Sequence, residues 1–195
     1  MNRKAAVKRK TTEVDVSIDV NIDGTGIYDI DTGIPFFDHM LEQFSKHGYF
    51  DLKIKAKGDI EIDFHHTVED VGLTLGDAIL KALAEKRGIR RFGQAYVPFD
   101  ETLVLSVIDL SGRPFCTFRA ESPKSKMGEF DVELAEEFFK SFTNTLKCNL
   151  YIEKVAGGNL HHIVEAMFKS VARALDEATS IDPRTDKVPS TKGKL

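Results

Sequence analysis

The stretch HHTVE at residues 65–69 returns almost unchanged as HHIVE at residues 161–165. An earlier stretch repeats with it, since DHMLEQF at residues 38–44 aligns with EEFFKSF at residues 136–142. Related motifs in the same order at similar spacing indicate an internal duplication. The 195 residues are therefore expected to fold as two related halves.

Apolar residues support the same division, because strand-like and helix-like spacings alternate in both halves. In the first half, strands are predicted at 12–20, 51–57 and 59–64, an Asp23–Gly24 turn closes an opening hairpin, and helices are predicted at 35–48 and 65–86. In the second half, strands are predicted at 93–99, 102–110, 115–121 and 148–155, and helices at 132–146 and 161–178. The expected fold is α+β, a duplicated β-sheet and helix unit with pseudo-twofold symmetry, divided into 1–92, 93–181 and an irregular C-terminal tail, 182–195.

Composition excludes several classes of protein. With 42% hydrophobic and 30% charged residues and no long apolar run, the chain is expected to be soluble and globular, without a membrane span. Residues 1–10 are basic but lack a signal-peptide core, so they are interpreted as a solvated arm. The two cysteines are far apart and suggest no disulfide framework, which favours the cytoplasm. A net charge of −4 gives no overall attraction to nucleic acid.

The histidines cluster instead of scattering. Residues four apart on a helix share a face, so His65 with Glu69, and His161 with Glu165, can each hold one metal ion. His66 and His162 point about 100° away and must serve another ion or partner. One such pair alone is more typical of a surface or helix-capping feature, whereas two copies with glutamate at the same offset favour metal binding.

Pseudo-twofold symmetry then predicts two metal sites. Mixed imidazole and carboxylate ligands suit manganese, iron or zinc, and the residues alone do not choose among them. Glu137 occupies the repeat position of His39. The predicted sets are His39, His65, Glu69 and His162 for one ion, and Glu137, His66, His161 and Glu165 for the other.

Basic residues provide candidate anion sites. The stretch PSTKGK at residues 189–194 combines hydroxyls, lysines and flexible backbone, although a mobile lysine-rich end has the same composition. Lys169 lies four residues beyond Glu165, on the expected metal-binding face. Arg91 and Arg113 are further candidates, and Arg113 could equally be an ordinary exposed arginine.

Several long motifs in order resemble one family. TGIPFFDHML at 32–41, the segment from Gly58 to Asp70, SGRP at 111–114 and the segments 159–165 and 189–193 closely resemble imidazoleglycerol-phosphate dehydratases of the monofunctional form. The resemblance covers nearly the whole chain. It implies a fold similar to domain 2 of ribosomal protein S5, and two Mn²⁺ per active site.

The implied reaction is dehydration of imidazoleglycerol phosphate to imidazoleacetol phosphate in histidine biosynthesis. The hydrogen that is lost is not next to a carbonyl, so the imidazole ring must accept electrons, and a metal on each ring nitrogen would assist it. The resemblance implies Glu13 and Glu165 as proton-transfer groups. It implies that substrate and phosphate are bound by Gln43, Arg91, Arg113, Lys169, Ser190 and Lys192.

The chain departs from the family at two positions, with Glu137 and Tyr151 where many members have histidine. Because a carboxylate also ligates manganese, the activity is still expected. The resemblance further implies trimers that assemble with metal into a particle of about 24 subunits, with active sites between subunits. Two alternatives stay open from the residues, a dimetal phosphate-ester hydrolase and a metal-storage protein.

Overall fold

Two four-stranded sheets form the framework of the protein. The computed structural model describes residues 3–120 and 125–195. The first sheet contains Lys4–Lys10 (β1), Asp15–Asn21 (β2), Tyr28–Asp31 (β3) and Asp51–Lys57 (β4). The second contains Phe92–Phe99 (β5), Thr102–Asp109 (β6), Phe115–Arg119 (β7) and Asn149–Ala156 (β10), and a small hairpin of Lys126–Met127 (β8) and Phe130–Asp131 (β9) lies before β10 in the chain.

Both sheets have the same topology. The strand orders are β1-β2-β4-β3 and β5-β6-β10-β7, and in each sheet only the last pair is parallel. In β2, the buried residues Val16, Ile18 and Val20 alternate with more exposed residues, so one face of the strand is buried. The predicted α+β fold of two related sheet-and-helix units is therefore confirmed.

Four helices connect and cover the sheets: Pro35–Gly48 (α1), His65–Leu83 (α2), Leu134–Leu146 (α3) and Leu160–Thr179 (α4). Helices α1 and α2 contact the first sheet, and α3 and α4 contact the second. The helices also pair crosswise between the halves, α1 with α4 and α2 with α3. A buried phenylalanine cluster joins them, in which Phe138 lies 5.4 Å from Phe37 and 5.0 Å from Phe168 between ring centroids.

Two glycines allow α2 and α3 to approach closely. A Cβ at Gly76 would lie 2.4 Å from the carbonyl oxygen of Phe142, and one at Gly72 would lie 2.8 Å from that of Phe138. These distances leave no room for a side chain. The close approach sets Glu137, the residue before Phe138, on the helix that packs against α2.

Some predicted elements were wrong. The described part of the supposed solvated arm is strand β1, paired with β2 along its whole length, so the opening hairpin turns at residues 11–14 and not at Asp23–Gly24. Residues 59–64 form turns and not a strand, because only Phe64 of their alternating apolar side chains packs against the core, while Ile60 and Ile62 are exposed. Helix α2 ends at Leu83, and the strand predicted at 115–121 ends at Arg119, while Glu121 lies outside the described residues.

The C-terminal tail, residues 182–195, contains no helix or strand. Backbone hydrogen bonds nevertheless attach it to the segment before β5, for example from Gly88 to the carbonyl of Lys187. In the portion of the chain that the structure describes, no helix has the length and apolar character needed to cross a bilayer.

Candidate metal centre

The start of α4 presents one of the two histidine pairs. Asn159 caps the helix, and its side-chain oxygen accepts hydrogen bonds from the backbone N–H groups of His161 and His162. The apolar face of α4 is buried, which fixes the rotation of the helix. Since α1 packs against α4, His39 is brought to this same first turn.

Three side chains converge there. The Nε2 atoms of His39 and His161 lie 3.3 and 3.1 Å from one carboxylate oxygen of Glu165. Their ligand atoms all lie within 4.8 Å of one another, and among residues 3–120 and 125–195 no other group of three or more such side chains does so. The predicted pairing of His161 with Glu165 is present, and His39 joins it.

Glu165 is buried and its charge is compensated. Burial would raise the pKa of this carboxyl, but the ammonium of Lys169, 2.5 Å from its other oxygen, and the nearby His39 hold the pKa below its ordinary value. Lys169 also lies over the ring of Phe99, with its nitrogen 4.4 Å from the ring centroid. Lys169 is thus part of the cluster, as its spacing predicted.

The second histidine of each pair faces a carboxylate. The Nδ1 atom of His66 lies 3.0 Å from Asp59 and 3.9 Å from Glu13. The Nδ1 atom of His162 lies 2.8 Å from Glu101, whose pKa is lowered to about 2 by that hydrogen bond and by the backbone N–H of Asn159. The hydrogen bond to Asp59 likewise raises the pKa of His66.

Sequence reasoning missed Asp59 and Glu101 as neighbours of the site. Glu101 lies 61 residues before His162, and no local pattern connects the two. Asp59 falls inside a motif that carries the family resemblance, which was the one available signal.

The start of α2 is less organised. Asp63 accepts a hydrogen bond from the backbone N–H of His65, but within the described chain no side-chain hydrogen bond or ion pair joins His65, Glu69 or Glu137. The fold pairs α3, the helix of Glu137, with α2, the helix of His65 and Glu69. The observed grouping therefore differs from the predicted one: His39 belongs with His161 and Glu165, because crosswise helix packing is invisible in the repeat alignment.

The candidate phosphate residues separate into two places. Arg91 forms an ion pair with Asp109 at 2.7 Å and donates to the carbonyl of Pro189, which ties it to the tail. The end of the tail returns to the turn before Arg113, since a Cβ at Gly112 would lie 2.6 Å from Leu195. Arg91, Arg113, Ser190 and Lys192 thus belong to one region, where the side chains of Arg113 and Lys192 are exposed.

The remaining candidates lie on the helices and the first hairpin. Gln43 is half-buried one turn after His39 on α1, and Glu13 is exposed in the β1–β2 turn beside His66. Glu13 is therefore at the α2 end of the chain, and Glu165 is at the α4 end. One chain does not bring these two predicted proton-transfer groups together.

Comparisons with known proteins identify the family. The sequence model of imidazoleglycerol-phosphate dehydratases matches residues 32–175. Among curated proteins, the imidazoleglycerol-phosphate dehydratases of Lachnoclostridium phytofermentans and Pelobacter propionicus are 56% and 54% identical to this chain, with all of both chains covered. The chain belongs to the imidazoleglycerol-phosphate dehydratase family. The resemblance inferred from the motifs is confirmed.

Solved structures of the dehydratase family have the same fold. The enzyme from Staphylococcus aureus is 37% identical, covers 92% of this chain and 99% of its own, and superposes with a TM-score of 0.83. The enzyme from Pyrococcus furiosus is 35% identical, covers 97% of this chain and 100% of its own, and gives a TM-score of 0.81.

The three converging side chains fit the metal dependence of the dehydratase family. Two imidazoles and a carboxylate whose ligand atoms lie within 4.8 Å can reach one ion. This mixed donor set suits manganese, iron or zinc. The α4 end therefore offers a partial metal site that lacks the further ligands of a complete one.

Proposed function

We propose that the protein dehydrates imidazoleglycerol phosphate to imidazoleacetol phosphate and water in L-histidine biosynthesis, as a hydro-lyase. Its full-length similarity to imidazoleglycerol-phosphate dehydratases supports this reaction. The observation that carries it is the convergence of His39 and His161 on the buried Glu165.

The proposed cofactor is two Mn²⁺ per active site. When bound, the ions would act as Lewis acids that polarise the substrate imidazole and help it accept electrons. The protein contributes ligands fixed by helix packing. The duplication supports two ions, because a second His-His-x-x-Glu motif stands at the start of α2.

The ligand sets that we propose use both ends of the chain. His39, His161 and Glu165 of one chain would be joined by His66 of a second copy. By the pseudo-twofold relation, His65, Glu69 and Glu137 of the second copy would be joined by His162 of the first. Relative to the sequence prediction, this proposal exchanges His39 and Glu137, and the crosswise helix pairing supports the exchange.

This pairing also brings the proton-transfer candidates together. Glu13 lies beside His66 at the α2 end, and Glu165 lies at the α4 end. A site made from the α4 end of one chain and the α2 end of another would contain both. Each can hold or accept a proton next to the substrate, which is the role that we propose for them.

The phosphate would be held by Gln43, Arg91, Arg113, Lys169, Ser190 and Lys192. Anchoring of the tail by Arg91 supports a defined position for the hydroxyl and lysine of the tail. Binding the phosphate at a fixed distance from the ions would orient the reacting carbons of the substrate.

Self-association is supported by an unusual sheet surface. The outer face of the second sheet carries apolar side chains, and Phe92, Tyr96 and Phe115 are each at least 57% exposed. The equivalent strand of the first sheet exposes lysines instead. Large apolar side chains exposed on one face of a sheet favour an interaction surface. We propose that this face joins copies into trimers, and that metal sites join trimers into a particle of about 24 subunits.

The cytoplasm is the compartment that we propose, since the chain uses only two cysteines and both are unpaired thiols.

The test is incubation of the purified protein with imidazoleglycerol phosphate, with ketone and inorganic phosphate measured in parallel. We expect ketone without phosphate, loss of turnover after chelation, and recovery with Mn²⁺. Release of phosphate without ketone would support the hydrolase, and metal binding without turnover would support a storage protein. Full activity in metal-free protein would refute the role of manganese.

A further inference from the structure

Two carboxylates, Asp59 and Glu101, face the second histidine of each pair, and their proposed role rests on the metal ligands proposed above. We propose that Asp59 and Glu101 are positioning residues, which fix His66 and His162 in the tautomer and orientation that present Nε2 to an ion bound mainly by another chain.

The hydrogen-bond geometry defines the tautomer. An ionised carboxylate only accepts hydrogen bonds, so a ring nitrogen bonded to it must carry the proton. The carboxylate contacts are made by Nδ1 in both rings, at 3.0 Å from Asp59 to His66 and at 2.8 Å from Glu101 to His162. In a neutral imidazole the other nitrogen, Nε2, then has the free lone pair that a metal needs.

The orientation of Nε2 distinguishes these histidines from the others. In His39 and His161, Nε2 points at Glu165 inside the same chain. For His66, neither a hydrogen bond nor an ion pair engages Nε2 in the part of the chain that the structure describes. For His162, the nearest such atom is an oxygen of Asp100 at 3.8 Å, beyond hydrogen-bond distance.

The two carboxylates occur in different places but act on equivalent rings. Glu101 lies in the turn between β5 and β6, and the corresponding turn between β1 and β2 contains Glu13, 3.9 Å from His66. In the first half Asp59 makes the direct bond to the ring, which leaves the side chain of Glu13 exposed and able to face a substrate. The corresponding turn thus supplies the hydrogen bond to the ring in the second half, and only a longer contact in the first.

Glu101 has a second attachment that makes a sharp test possible. Its Oε1 accepts from the backbone N–H of Asn159 at 3.0 Å, while Oε2 faces His162. In Glu101→Gln the amide oxygen must remain on the backbone N–H, so the amide NH₂ is left facing Nδ1. The ring then has to accept at Nδ1 and carry its proton on Nε2, where it blocks a metal.

The experiment measures Mn²⁺ affinity of chelated protein by the electron paramagnetic resonance signal of free Mn²⁺, without substrate. We expect Glu101→Gln to weaken the binding of half of the ions by about 10- to 100-fold. Asp59→Ala, which removes the acceptor, should do the same for the other half, and Asp59→Glu should restore it. The control is Glu85→Gln, an exposed carboxylate that forms no hydrogen bond or ion pair among the described residues.

A second readout is the tautomer itself, from nitrogen NMR of ¹⁵N-histidine protein without metal. His162 should change from Nδ1–H to Nε2–H in Glu101→Gln and keep Nδ1–H in the control. Unchanged affinity and tautomer in Glu101→Gln and Asp59→Ala would overturn the positioning role, and if Glu101→Gln fails to fold, Asp59→Ala decides alone. His162→Ala and His66→Ala test the proposed ligands independently of the positioning role. Normal metal binding in both variants would mean that the proposed ligands are wrong. Weakened binding in these two variants, with normal binding in Glu101→Gln and Asp59→Ala, would refute the positioning role alone.

Discussion

The start of α4 and the start of α2 carry almost the same five residues but lie in different surroundings. At α4, His161 and Glu165 meet His39, and Lys169 neutralises the buried carboxylate. At α2, His65 is exposed and its equivalent partners are not gathered. The α2 position that corresponds to Lys169 is Leu73. Duplication preserved the motif, while a residue of the same helix, Lys169 against Leu73, and one of the neighbouring helix, His39 against Glu137, diverged.

Removing the carboxylate from each motif separately should have the strongest effect on activity. Glu165→Gln and Glu69→Gln should each lower kcat by at least about 100-fold, because each ion is needed for the same reaction. Steady-state ketone formation measures this, with Glu85→Gln as the charge-matched control. If Glu69→Gln retains normal turnover, the α2 end has no catalytic ion and the two ends are not equivalent.

Removal of the ions should have the second largest effect, a change in the size of the assembly. An ion bound only in the assembled state stabilises it by mass action, and its loss leaves neighbouring carboxylates to repel one another. Chelation is expected to give smaller oligomers, and Mn²⁺ should restore the large particle. Light scattering at fixed protein concentration measures the mass. An unchanged mass in protein shown to be metal-free would mean that interfaces such as the apolar sheet face suffice alone.

Glu137 is the counterpart of His39 in the repeat, so its substitution tests the ligand set at the α2 end. Glu137→Ala should reduce bound metal from about two ions per chain toward one, and Glu137→His should largely restore it, since both side chains ligate manganese. Elemental analysis after gel filtration provides the measurement. If the alanine and histidine variants both retain two tightly bound ions, Glu137 is a solvated helix residue and no ligand.

The smallest expected effect concerns Lys169. In metal-free protein its ammonium lowers the pKa of Glu165, so this pair contributes stability above the ordinary pKa range of a carboxyl and loses it as pH falls through the lowered value. Lys169→Met removes this contribution, so at pH 7 its free energy of unfolding should be lower by about 1 kcal/mol and its Tm lower by about 2–4 °C. Thermal scans from pH 7 to pH 3 should show the two Tm curves converging at low pH. A constant separation would show that the ion pair is not its source.

The sequence patterns predicted the long amphipathic elements well, because buried faces impose a period on the residues. Helix α1 and strand β4 were found at their observed limits. Strand β1 was missed because its sequence, KAAVKRK, contains one buried side chain, Val7, and one half-buried side chain, Ala5, which is too few to show a period; its backbone pairs with β2 along its whole length. The strand predicted at 59–64 was wrong for the opposite reason. Its apolar residues do alternate in the sequence, but their side chains stay partly exposed.

The site was predictable in its residue types but not in its grouping. The His-His-x-x-Glu spacing pointed to His161 with Glu165, since four-residue spacing is local geometry. The partnership with His39 depends on the crossing of α1 and α4, a tertiary feature that a repeat alignment does not contain. Glu101 had no signal at all, because its contact joins a strand turn to a distant helix.

Activity of mixed particles tests most directly whether one active site combines the α4 end of one chain with the α2 end of another. Glu165→Gln and Glu69→Gln, each inactive alone, are chelated, mixed in equal amounts and reassembled with Mn²⁺, and native mass spectrometry verifies that hybrids form. A site is intact when its α4 end comes from a Glu69→Gln copy and its α2 end from a Glu165→Gln copy. In an equal mixture this holds for about a quarter of the sites, so about a quarter of the normal activity should return. The matched mixture of Glu165→Gln with His161→Ala, both damaged at the α4 end, should regain none. No recovery in the first mixture, or equal recovery in both, would contradict this arrangement.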